Sequence, residues 1–150
     1  MEENIKNFKC LGKDCPNHCC GAFDGISNKL KELSGISFSE IVLLPEDVEC
    51  IKKAGKEKYI IPEENGIYKI ATQVDGTCLA LENGKCAIYE QRPAICKAYP
   101  LYIDMFAGLC YVNECSAFNP DFNTEDYRNA LKSLLEIYRY WIDYYEKKLV

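Results

Sequence analysis

From Asn123 onward the chain reads NTEDYRNALKSLLEIYRYWIDYYEKKLV. Its apolar positions Tyr127, Leu131, Leu134, Tyr138, Ile142, Tyr145 and Leu149 recur at steps of three and four. That period places one apolar stripe along an α-helix of about 25 residues, spanning about 124–148. Asn123 or Thr124 is the cap, acidic residues occupy the first turn, and Lys147 and Lys148 close the last. Packing on the cysteine-bearing part of the chain is the expected use of the stripe; service to a partner or a second copy is the alternative.

Upstream the periods are shorter. The segment LPEDVECIKKAGK predicts a helix, with Pro45 at its first position, Glu46 and Asp47 matching the dipole, and Gly55 as its stop. Val48, Ile51 and Ala54 form the expected inner edge. KYIIPEENGIYKIA reads as a hairpin turning at Asn65-Gly66, and CLALENGKCAIY as a second one turning at Asn83-Gly84. EQRPAICKAYP, bounded by Pro93 and Pro100, leaves room for little more than one helical turn. LYIDMFAGLCYVNEC reads as a strand or irregular core. Ile26–Leu33 predicts a short helix, and the stretch before it, to Phe23, loops and turns.

Composition narrows the class. The 150 residues are 48% hydrophobic and 27% charged, the balance of one soluble globular domain, 1–150, rather than of a disordered chain. No apolar run reaches the roughly 18 residues a membrane span needs, and the polar start MEENIKNFKC lacks a secretory pattern, so a cytoplasmic protein with no membrane partner is expected. The formal net charge is −5. Ligating cysteines would be thiolates, and two four-cysteine sites each holding one zinc would deepen the charge to about −9. Such a body disfavours nucleic acid as a partner. The short clusters at Lys52, Lys53, Lys56 and Lys58 read as solvated surface.

The ten cysteines carry the chemistry. In a reducing compartment, clustered cysteines are better read as metal ligands than as disulfides. Cys50 stands alone in the Pro45 helix, and packing on a helix flank is its expected role. The other nine are Cys10, Cys15, Cys19, Cys20, Cys78, Cys86, Cys96, Cys110 and Cys115. Zinc sites and cubane iron–sulfur clusters each take four ligands, so nine thiols suit two sites with one spare, or one site with supporting thiols. Adjacent Cys19 and Cys20 then read as a junction between two ligand sets, with His18 beside it as ligand, thiolate donor or plain surface residue. The second hairpin lets Cys78 and Cys86 converge at one end. Lys9, Lys13, Lys85, Arg92 and Lys97 all lie within four residues of a proposed ligand, where cations lower the cost of an anionic centre.

In these residues the sequence resembles the CxxCxxCC family of zinc- or iron-chelating cysteine-cluster proteins, which includes flagellin lysine N-methylases. The resemblance lies in CLGKDCPNHCC, in CLALENGKCAIYEQRPAICKAYP, and in CYVNECSAF. Its most specific stretch matches at Cys78, Leu79, Gly84, Cys86, Ile88, Tyr89, Arg92, Pro93, Cys96, Lys97, Tyr99 and Pro100. Two departures stand out: the first two cysteine spacings are longer than the family name implies, and Lys97 replaces a common arginine. The resemblance implies a metal-binding part over about 8–118 and a cofactor that is zinc or an iron–sulfur cluster.

The expected architecture is a small, loop-rich α+β cysteine-cluster domain with short hairpins and a long C-terminal helix. Two functions fit it. One is an iron–sulfur or metal-dependent enzyme modifying a protein or peptide side chain, such as a lysine N-methylase. The other is a zinc-stabilised protein-binding module without catalysis. No G-x-G-x-x-G loop, P-loop, H-E-x-x-H or serine triad can be assigned, so no catalytic residue is named.

Overall fold

The computed structural model describes residues 41–63, 66–112 and 123–149. The expected Ile26–Leu33 helix, the four N-terminal cysteines, His18, Asn65 and Cys115 lie outside these residues. The described chain divides into two compact units, one ending at Pro93 and the other starting at Ala94.

The first unit opens with β1 (Val42–Leu43) and α1 (Pro45–Lys53). Pro45 stands at the helix start, where a missing N–H costs nothing. The buried Asp47 carboxylate accepts the Leu44 N–H at 3.0 Å, satisfying a donor at the helix entry. The exit is a Schellman motif: Gly55 takes φ +70°, its N–H reaches Lys52 O, and the Lys56 N–H reaches Ile51 O. Gly55 is thus the expected stop. Ile51 is fully buried and Val48 packs on the same core, whereas Ala54 is exposed and falls outside the inner edge.

A 3₁₀ turn (Glu57–Tyr59) leads into β2 (Ile60–Pro62), which pairs antiparallel with β3 (Tyr68–Ile70) in the expected hairpin. β1 lies along the other edge of β3, giving a three-stranded sheet in the order β1-β3-β2. Two residues give no readable alternation, which is why the sequence pattern did not yield β1. The next hairpin joins β4 (Leu81–Glu82) to β5 (Lys85–Cys86) and is followed by a 3₁₀ turn (Tyr89–Gln91). Asn83 and Gly84 both have positive φ, as a type I′ turn requires. The core gathers Leu43, Ile51, Tyr59, Ile60, Ile70, Ala80 and Ile88.

Lys56 departs from the solvated reading of the basic clusters. It is half-buried, and its ammonium donates to Ala87 O at 2.7 Å and Gln91 Oε1 at 2.9 Å, tying the end of α1 to the segment after β5.

In the second unit, α2 (Ala94–Ala98) is the single short turn allowed between two prolines. The hairpin of β6 (Leu101–Asp104) and β7 (Gly108–Tyr111) follows, so the segment read as strand or irregular core is two paired strands. α3 (Glu125–Leu149) matches the expected helix, and Thr124 is its cap: Oγ1 accepts from Tyr127 N at 3.3 Å. Leu134 is buried against Ala98 and Leu101, with Tyr127, Ala130, Leu131 and Ile137 around it. The fold is α+β. Among the described residues no helix is long and apolar enough to cross a membrane.

Candidate metal centre

Two successive tight turns place Cys78. In the first, Thr72 bridges Cys78, and the Gln73 N–H reaches Thr77 O across an Asp75-Gly76 tip whose aspartate accepts the Thr77 N–H at 2.9 Å. This small hairpin escaped the sequence reading, although Asp-Gly is one of the strongest turn signals and was there to be used. Immediately afterwards Leu81 N–H reaches Cys78 O at 3.0 Å, folding the chain over the cysteine and into β4. β5 then returns, with Cys86 opposite Leu81 and the Ala87 N–H reaching Ala80 O at 2.7 Å. Cys78 and Cys86 are thereby held against the same core, each half-buried. Cys86 pairs with Leu81, and Cys78 precedes the hairpin, bridged to Thr72.

The electrostatics around Cys78 favour a cation. Burial pushes its thiol above the ordinary cysteine value, and the charge of Cys86 adds to that rise. The backbone N–H groups of Ala80 and Leu81 bond towards the sulfur and pull the other way. Amide donors two and three residues after a cysteine stabilise a thiolate without supplying a counter-charge. A pair of such sulfurs is costly as two bare anions and favourable once a divalent cation stands between them and their protons are released. Cys78 and Cys86 are therefore a donor pair of the kind a thiophilic metal takes.

A zinc or cubane site takes four ligands, so a site that used this pair would draw two more from elsewhere in the chain. Cys96 lies on α2 and Cys110 on β7 opposite Tyr102, both half-buried in the second unit. Among the described residues no three His, Cys, Asp or Glu side chains come together. None of the five described cysteines is in a disulfide. Cys50 is exposed on α1, which corrects its expected role as a packing residue on a helix flank: position 50 falls on the solvent side of the turn that buries Ile51.

Among the proposed cations, Arg92 has the most specific surroundings. Its guanidinium lies 3.8 Å from the centroid of the Tyr89 ring, and its Nε is buried with no hydrogen-bond partner among the described residues. An orphaned donor of this kind suits an acceptor such as a thiolate. Lys85 and Lys97 are exposed, and Lys9 and Lys13 lie outside the described residues.

A short-stranded hairpin with one amide-supported thiol and a second thiol against the same core suits a protein that binds metal through cysteines. A family model matches the chain over residues 9–119, and the chain belongs to that family, CxxCxxCC, described as a "Putative zinc- or iron-chelating domain". The metal that such a domain chelates is zinc or iron. No curated protein and no solved structure matches the chain.

Proposed function

We propose that the protein is a zinc- or iron-centred binding module in which thiolates cross-link segments too short to hold one another. The ligands are drawn from Cys10, Cys15, Cys19, Cys20, Cys78, Cys86, Cys96, Cys110 and Cys115. The observation that carries the proposal is the Cys78–Cys86 pair, with the Ala80 and Leu81 amides aimed at one sulfur. The strands around the pair support a structural role for the metal. β4 and β5 contribute two residues each, and a two-stranded hairpin of that size has little stability of its own. Metal binding then becomes part of the folding free energy. Clustered thiols of this kind belong in a reducing compartment, which supports a cytoplasmic location. No observation in the described residues favours lysine N-methylation, and the reading does not include it.

The test is elemental analysis and absorption of protein purified without oxygen. Colourless protein with stoichiometric zinc identifies the plain ion, and brown protein absorbing near about 400 nm identifies an iron–sulfur centre. Cys86→Ser and Cys96→Ser each lower the metal content and the melting temperature, whereas Cys50→Ser changes neither. Full metal content in the first two variants overturns the ligand assignment.

A further inference from the structure

The apolar stripe of α3 is only half used. A helix of 25 residues runs about 37 Å, whereas α2 and β6, on which it packs, have five and four residues. The stripe is accordingly buried where it meets them and bare beyond: Leu134 is 5% exposed, Ile142 55% and Leu149 79%. Tyr138 marks the handover, its hydroxyl donating to Ile103 O at 3.1 Å. Past it, Tyr138, Trp141, Ile142, Tyr145 and Leu149 line a shallow groove with Glu146 at the edge. The rings are already ordered, with Trp141 stacked on Tyr145 at 5.9 Å between centroids and edge-on to Tyr144 at 5.4 Å.

We infer that this distal half of α3 is an interface with a second copy of the chain, paired antiparallel. The spacing selects that occupant. Tyr138, Ile142, Tyr145 and Leu149 follow steps of four, three and four, the seam of a two-helix pair. Laid antiparallel about a two-fold axis between residues 143 and 144, Tyr138 of one copy faces Leu149 of the other and Ile142 faces Tyr145. Each large side chain meets an apolar one, and the pattern is its own complement, as a two-fold interface demands. The flanks agree. Arg139 and Glu146 occupy equivalent positions beside the seam, one heptad apart, so each Arg139 lies alongside the Glu146 of the second copy. Among the described residues neither has an ion-pair partner. A parallel pairing would instead set Glu146 beside Trp141 of the second copy, with no opposite charge in reach.

The area sets the strength. Two copies of a stripe of four or five such side chains bury on the order of 1,000 Å², the lower limit for a specific interface. The dimer is therefore reversible, with a dissociation constant on the order of micromolar to tens of micromolar.

Sedimentation equilibrium of the full, reduced, metal-loaded chain over a concentration series tests the inference, which does not rest on the metal reading. A monomer–dimer equilibrium is expected. Ile142→Asp should raise the dissociation constant at least about tenfold, with an unchanged circular dichroism spectrum because Ile142 is exposed. Arg139→Glu and Glu146→Arg should each raise it about threefold, and the double exchange should restore it. A wild-type monomer at every concentration reached, a dimer indifferent to Ile142→Asp, or a double exchange no better than the single ones each overturns the inference.

Discussion

The hairpins β4–β5 and β6–β7 each carry a cysteine, and each closes on a carboxylate, yet they are held by different means. In β4–β5, Glu82 accepts the Tyr59 hydroxyl at 2.7 Å, a contact that spans 23 positions of sequence. Four residues pair, and both cysteines and Ile88 lie against a core drawn from α1 and the three-stranded sheet. In β6–β7, Asp104 accepts the N–H groups of Phe106 and Ala107 at 2.8 Å each, all inside its own loop. Four residues on each strand pair, and Tyr102, Met105, Phe106, Leu109 and Tyr111 are exposed. The first hairpin depends on what surrounds it; the second closes its own loop and rests on α3 through Leu101 and Ile103. Under the proposed ligation, metal binding at Cys78 and Cys86 would decide whether that region is ordered.

Metal removal is the largest way to break the comparison. Structural zinc supplies about 10 kcal/mol or more of apparent binding free energy in small domains. Stripping the metal with a chelator should raise amide exchange at Leu81 and Ala87, both in short turn and hairpin bonds, by about a thousandfold. Leu109 and the rest of β6–β7 should change less. Hydrogen exchange with residue resolution checks this, and equal acceleration in both hairpins would remove the distinction.

Core truncation comes next. Ile88 is 1% exposed and Leu109 42% exposed. Ile88→Ala should cost about 3 kcal/mol through the cavity it leaves, and Leu109→Ala no more than about 0.5 kcal/mol. Denaturant titration of the metal-loaded variants decides between them. Similar costs would mean that β6–β7 is buried in a way its exposure denies.

How much of this could be read from the chain follows the same division. Asn83-Gly84 announced the dependent hairpin because the turn chemistry is local, even though its stability is not. β6–β7 was harder: the loop from Met105 to Ala107 contains no turn dipeptide, and its signal is an aspartate before the loop and Gly108 after it. α3 was legible over its full length, since 25 residues of helical period outweigh local noise. β1 and the half-buried Lys56 were not, because both are defined by partners distant in sequence, Lys69 opposite Val42 and Ala87 opposite Lys56. Cys78 and Cys86 were read as neighbours from the hairpin alone, and both pack against the first unit's core. The exposed position of Cys50 depended on the exact rotation of α1, which an apolar pattern of two or three residues does not fix. The orphaned Nε of Arg92 is a tertiary property with no counterpart in the sequence pattern.

The smallest effect lies in the Asp104 loop, where the bonds are local and exposed. The N–H groups of Ala107 and then Phe106 hold the Asp104 carboxyl below its ordinary value. A depressed carboxyl contributes to stability above the unfolded-state value, about 3.9, and the contribution disappears as pH falls through the lower folded-state value. The amide resonances of Phe106 and Ala107 should therefore titrate together with the Asp104 carboxyl, at a pH below the ordinary aspartate range. Asp104→Ala should abolish that titration and leave the melting temperature within about 2 °C, because the rest of the β6–β7 ladder persists. Asp104→Asn retains an acceptor oxygen without the charge, so it should keep the loop while losing the titration. Amide shifts at 106 and 107 that ignore both pH and the Asp104→Ala change would show that this hairpin closes by strand pairing alone.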